Sequence, residues 1–178
     1  MKRACRSAFF LCYLKGKIVH EMKIIALDVG DKTIGVALSD DLLFTGQGLM
    51  TIQRVGIRKD AGKVMDLIKE YKCDTVVVGL PKNLNGTDSI QTEKVYEFKA
   101  LLENKMKSSG MSEIEIIFQD ERFTTLIAEK VLIEADVSRK KRKDVIDKQA
   151  AVIILQGYLD RLRNIKDKKE REEKEAER

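Results

Sequence analysis

The chain has 178 residues, 34 of them Lys or Arg and 29 Asp or Glu, for a net charge of +5, and 43% of it is hydrophobic. That length allows one domain with tails, and a chain of this size buries roughly 70% of its unfolded surface without disulfide or metal staples. Its three cysteines, Cys5, Cys12 and Cys73, make neither an even disulfide framework nor a Cys-x-x-Cys knuckle, and a single histidine, His20, argues against His-based metal sites and triads, leaving carboxylates, lysines and hydroxyls for any chemistry.

Residues 1–21 carry Lys2, Arg3, Arg6, Lys15 and Lys17 against Glu21, a net of +4. Their apolar stretch, Ala8–Leu14, is short for a signal peptide and ends in Lys15-Gly16-Lys17 without a small-x-small cleavage site. Met22 then opens a well-patterned strand. We therefore read residues 1–21 as an N-terminal extension outside the fold, 22–163 as the folded domain and 164–178 as a charged tail. The longest apolar runs, such as Thr75–Leu80, fall far short of the ~20 residues of a membrane helix. A soluble, cytoplasmic protein in a reducing compartment is expected.

Lys23–Val29 reads as a buried strand, Gly30-Asp31-Lys32-Thr33 as a turn, and Thr33–Ser39 as the second arm of a hairpin. Gly48–Gln53 is a third strand. Ile57–Tyr71 is a helix, with Val64, Leu67, Ile68 and Tyr71 on one face. Thr75–Gly79 is a β-branched run without polar alternation, as in a central strand covered on both faces. A loop over Leu80–Asp88 follows, then a helix over Ser89–Asn104 with Val95, Phe98, Leu101 and Leu102 inward, and a strand over Ile114–Phe118. Helices are expected over Thr124–Ala135 and Asp144–Arg163, the tail beyond being a frayed extension or disordered. Three strands followed by helix–strand–helix–strand–helix–helix give an α/β protein: a mixed five-stranded sheet with helices on both faces, the order of the RNase H-like fold.

Within this frame three carboxylates stand out. Asp28 sits near the end of the first buried strand, where an ionised group is costly unless it is paired. Gly30-Asp31 already supplies the turn chemistry, so Asp28 is surplus to that need. Asp120 and Glu121 follow the last strand, at the carboxy end where such sheets carry their chemistry. Asp120 is also placed to cap or brace the turn. On the last helix Asp147, Ala150, Ala151, Ile154 and Tyr158 share one face, and Asp147 is its only charged member. Asp144, three residues earlier, is a further ligand or a helix cap. Convergent carboxylates without histidine suit a hard divalent cation, Mg²⁺ or Mn²⁺, and the chemistry of such clusters is phosphodiester hydrolysis.

The positive charge is concentrated. Residues 22–178 carry +1 in total, of which Arg139, Lys140, Lys141, Arg142 and Lys143 supply +5 in one run. Placed just before Asp147, that run suits a nucleic-acid backbone. A solvated loop between helices is the bland alternative.

Four segments resemble the YqgF family, the pre-16S ribosomal RNA nucleases also described as Holliday-junction-resolvase-like proteins. They are Asp28-Val29-Gly30-Asp31-Lys32-Thr33-Ile34-Gly35-Val36-Ala37, Val77-Val78-Gly79-Leu80-Pro81-Lys82-Asn83-Leu84-Asn85-Gly86-Thr87, Asp120-Glu121-Arg122-Phe123-Thr124-Thr125 and Ile146-Asp147-Lys148-Gln149-Ala150-Ala151-Val152-Ile153-Ile154-Leu155. In order, they cover about Met22–Leu159. The resemblance implies an RNase H-like fold, with Asp28, Glu121 and Asp147 as catalytic, metal-holding carboxylates. It also implies cleavage of structured RNA or DNA and a cytoplasmic role in maturing the 5′ end of 16S rRNA, with pre-ribosomal RNA as partner. Arg122 and Arg139–Lys143 are the expected nucleic-acid contacts. In related junction resolvases the second carboxylate comes from the strand that here ends Val77-Val78-Gly79, so Glu121 must take that part.

Two other functions fit parts of the pattern. A nucleotide-binding phosphotransferase of the actin or sugar-kinase type shares the sheet and an Asp-x-Gly loop, but closes two such domains over its nucleotide; ATP titration discriminates it. A non-catalytic nucleic-acid adaptor in transcription or ribosome assembly would use the basic run equally well. It would not use three carboxylates that repel phosphate.

Overall fold

The structure, a computed structural model, describes residues 11–14, 17–20, 23–81, 90–120 and 139–176, with side chains left aside at 11–14, 17–20, 90, 139–147, 169 and 176. The expected loop after Pro81 and the expected helix over Thr124–Ala135 lie outside these residues. Among the described residues seven strands and three helices follow in chain order: β1 (Leu11–Leu14), β2 (Lys17–His20), β3 (Lys23–Val29), β4 (Thr33–Ser39), β5 (Gly46–Gln53), α1 (Ile57–Glu70), β6 (Cys73–Leu80), α2 (Ile90–Ser108), β7 (Glu115–Asp120) and α3 (Arg139–Ala176).

Strands β3 to β7 form one five-stranded sheet in the order β5-β4-β3-β6-β7. The β3–β4 and β4–β5 pairs are antiparallel, and the β3–β6 and β6–β7 pairs are parallel. The meander and the crossovers are those the element order predicts, and the sheet is the mixed one of an RNase H-like fold. In the N-terminal segment β1 and β2 pair antiparallel, Cys12 opposite Val19 and Tyr13 opposite Ile18, as a separate two-stranded sheet. Tyr13 in one arm and Ile18 and Val19 in the other are residue types that favour strands.

Two cores sandwich the sheet. On one face Ile25, Leu27 and Val29 of β3 pack with Val64 and Ile68 of α1 and with Phe98 and Leu102 of α2. On the other, Ile24 and Ala26 of β3, Ala37 of β4 and Val77 of β6 pack with Ala151, Ile154, Leu155 and Tyr158 of α3. The period-two split of β3 between the cores is what a central strand covered on both sides requires. Small residues let α3 sit close. A side chain at Gly46 would lie 3.0 Å from Leu155 Cδ2, and one at Gly48 would lie 3.3 Å from Lys148 Cβ.

Helix α3 runs 38 residues, from Arg139 to Ala176, longer at both ends than its apolar stripe indicates. At the start, Arg and Lys are good helix formers and outweigh the tenths of a kcal/mol that like charges cost. At the end, Lys166–Glu170 and Lys168–Glu172 are i,i+4 ion pairs of the kind that support an exposed helix.

Candidate active site

Strand β3 ends beside two different neighbours. On the β4 side pairing runs on to Val29 opposite Ile34, with Asp28 opposite Gly35. On the β6 side the ladder ends at Leu27 opposite Val78. Asp28 is thus the first β3 residue past the last β3–β6 pair. The chain order also reverses at this point, since β3 has an early antiparallel neighbour on one side and a crossover strand on the other. Crevices at such carboxy ends are where open α/β sheets bind ligands.

Alternation sets the direction of Asp28. Val29 and Leu27 belong to the core under α1 and α2, and Ala26 to the core under α3, so Asp28 turns to the α3 face, where it is half-buried. Its row on that face is sparsely filled: Gly35 opposes it on β4, and β6 and β7 pair Gly79 with Gln119. The amide oxygen Oε1 of Gln119 is buried without a hydrogen-bond partner among the described residues. Asp120, exposed at the end of β7 and opposite Leu80, falls on the other face by the same alternation.

The turn after Asp28 is held from several elements. Gly30 N donates to Thr33 O at 2.9 Å, closing the turn. Gln91 Nε2 of α2 donates to Val29 O at 2.8 Å. Arg54 Nη1, after β5, donates to Gly30 O at 2.8 Å, and Arg54 N donates to Lys32 O at 3.0 Å. Behind Arg54 stands Asp60, 0% exposed, with Oδ2 3.2 Å from Arg54 Nε and Oδ1 accepting Val55 N at 3.0 Å. Lys94 Nζ lies 2.6 Å from Asp31 Oδ1, and that hydrogen bond and charge hold the Asp31 carboxyl below its ordinary range. The turn over Gly30–Thr33 is the one expected from the sequence, whereas the reach of Gln91, Arg54 and Lys94 onto it from other elements has no local signal there.

Of the carboxylates expected to gather, Asp28 is placed in full. Position 147 lies in the backbone of α3, one turn before Ala151, on the helix that covers the Asp28 face; its side chain, like those of Asp144 and Arg139–Lys143, lies outside the described residues. So do Glu121 and Arg122 as a whole. The run Arg139–Lys143 is the first part of α3 rather than a loop before it. Among the described residues no three His, Cys, Asp or Glu gather as a metal site. The donor at the sheet end is a carboxylate oxygen, which fits Mg²⁺ or Mn²⁺ in kind. No helix among the described residues is long and apolar enough to cross a membrane.

Comparison with known proteins agrees with this fold. A protein of Clostridium tetani (strain Massachusetts / E88) named "Putative pre-16S rRNA nuclease" is 52% identical over 143 residues, 80% of this chain and 99% of its own. One of the same name from Desulforamulus reducens is 53% identical over 139 residues, 78% of this chain and 97% of its own. The crystal structure of the fowlpox virus Holliday junction resolvase superposes with a TM-score of 0.50 at 14% identity, over 79% of this chain and 99% of that one, a likeness of fold. The family described as RuvX, Holliday junction resolvase, matches residues 22–161, and the chain belongs to it.

Proposed function

We propose that this protein is a divalent-metal-dependent nuclease that hydrolyses phosphodiester bonds, acting in the cytoplasm on pre-ribosomal RNA in 5′-end processing of pre-16S rRNA. The observation that carries the reading is a half-buried carboxylate, Asp28, at the carboxy end of the central strand, where the β3–β6 ladder stops and the chain order reverses. The names of the relatives supply the substrate class.

In this reading Asp28, Glu121 and Asp147 together hold the cation. When bound, it would supply positive charge for the phosphate oxygens and the leaving oxygen. Asp28 offers an oxygen from the carboxy end of the central strand. Position 147 brings a second carboxylate from the helix over the same face, and Glu121 a third from beyond β7. Gly35 and Gly79, without side chains, leave that row open for a phosphate to approach. Arg139–Lys143, with Arg122, would take neighbouring phosphates of the strand and align the scissile one.

The test is a cleavage panel of junction DNA, single-stranded RNA and a pre-16S 5′ fragment, with Mg²⁺ or Mn²⁺ and with chelator. Asp28→Asn, Glu121→Gln and Asp147→Asn are each expected to abolish cation-dependent cleavage and keep the fold. Each removes a negative charge from a site strained by like-charge repulsion in the absence of metal. Full cleavage by Asp28→Asn sinks the assignment of Asp28, and a parent chain that binds these substrates but cleaves none of them with either cation leaves the adaptor reading as the better one.

A further inference from the structure

We propose that Gln91 and Arg54 are positioning residues for Asp28: by holding the carbonyls of Val29 and Gly30 they fix the end of β3 where the sheet ladder no longer does. The proposal rests on the reading of Asp28 as a site residue.

Past the last β3–β6 pair, Leu27 with Val78, the end of β3 has ladder support from β4 alone. A strand end paired on one side frays, and a carboxylate there would sample many directions. Two side chains prevent this. Gln91 Nε2 reaches Val29 O from α2, and Arg54 Nη1 reaches Gly30 O from the β5–α1 connection, each at 2.8 Å. These are the first two peptide carbonyls after Asp28, so the backbone on its carboxy side is pinned twice.

Each pinning residue is itself anchored. Thr92, fully buried beside Gln91, donates its hydroxyl to Pro81 O, tying the head of α2 to the end of β6. Gln91 therefore spans the gap between β3 and β6 with its own end fixed to β6. Arg54 is held by the buried Asp60. Neither side chain need touch substrate or cation. Both act through the position of Asp28, and displacement of a reacting group by about 1 Å can cost on the order of 100-fold in rate.

The experiment uses the full chain with Gln91→Leu, which keeps the bulk and removes the donor, and Gln91→Glu, which keeps length and polarity but cannot donate to a carbonyl. Amide hydrogen exchange over residues 28–33 is expected to quicken about tenfold in both, with exchange over 24–27 unchanged. The kcat for the substrate the parent cleaves best is expected to fall about 10- to 100-fold with KM within about twofold. Should one variant fail to fold, the other carries the test. Unchanged exchange at 28–33 overturns the proposal, as does unchanged kcat while Asp28→Asn is inactive. If Asp28→Asn cleaves as the parent does, it is the role of Asp28 that has failed, and exchange alone still decides whether the clamp exists.

Discussion

Replacing Arg54 with Met strands a wholly buried carboxylate. Asp60 is 0% exposed, with Arg54 Nε at 3.2 Å from one carboxylate oxygen and Val55 N at 3.0 Å from the other, whereas the Arg54 side chain is 17% exposed and also donates to Gly30 O. The two halves of the pair are therefore unequal. Breaking a buried pair by removing one partner costs about 3–5 kcal/mol, because the remaining charge stays buried without its counterion. Arg54→Met should sit in that range. Asp60→Asn keeps an oxygen for Val55 N, and it leaves a cation that still has a carbonyl and some water, so its cost should be nearer 1–3 kcal/mol. Removing both charges in Arg54→Met/Asp60→Asn should cost less than the two singles added, by about 0.5–3 kcal/mol.

Urea titration with a shared m-value gives these differences, and calorimetry should show Arg54→Met melting roughly 6–20 °C lower at 2–4 °C per kcal/mol for a chain this size. Additive single costs, or an Arg54→Met cost under about 1 kcal/mol, as for a surface pair, would refute the reasoning.

Three further outcomes are expected. Changing Lys140, Lys141 and Arg142 to Ala together should weaken nucleic-acid binding for every sequence alike and reduce the slope of log K against log salt by about 2–3 on a duplex; an unchanged slope moves the binding face elsewhere. A chain that begins at Met22 should melt within about 4 °C of the full chain, because β1 and β2 pair with each other and stand apart from the five-stranded sheet; a larger drop means residues 1–21 belong to the fold. Burial, with Asp74 beside it, pushes the Cys73 thiol from 9.0 up to about 12, so the unfolded chain releases that proton first and stability should fall from pH 9 toward 12. Cys73→Ala should flatten that limb of a stability-against-pH curve, and an unchanged limb would rule Cys73 out as its cause.

The fold was legible because its signals are local and periodic. The β-branched run Thr75–Gly79 has no polar alternation, and the structure covers β6 on both faces. The 3.6 period of Ala151, Ile154 and Tyr158 marks the face of α3 that the sheet receives. Where periodicity is absent the boundaries shifted: nothing apolar recurs in Arg139–Lys143 or beyond Ile165, yet both are helical, carried by helix propensity and, at the far end, by i,i+4 pairs. The hairpin of β1 and β2 gives no comparable signal, because arms of four residues are too short for an alternation to stand out.

Asp28 could be singled out because a charge after the apolar run Ile24–Leu27 contradicts the strand's own pattern, and a local contradiction is visible in one dimension. Its supports are consistent with their local surroundings. A Gln in the first turn of a helix and an Arg after a strand break no rule, so they give no signal. What distinguishes them is separation along the chain: Gln91 meets Val29 across 62 positions and Arg54 meets Gly30 across 24. Such contacts follow only from knowing that β6 leaves the ladder at Val78 while β4 stays with β3 to its end. In the role proposed for Asp28 the sheet has to open on that side for a phosphate to reach it, and an opened strand end must be held by something other than its neighbour. The carboxylate is thus readable from the sequence, whereas the residues that hold it become readable only once the opening has been seen.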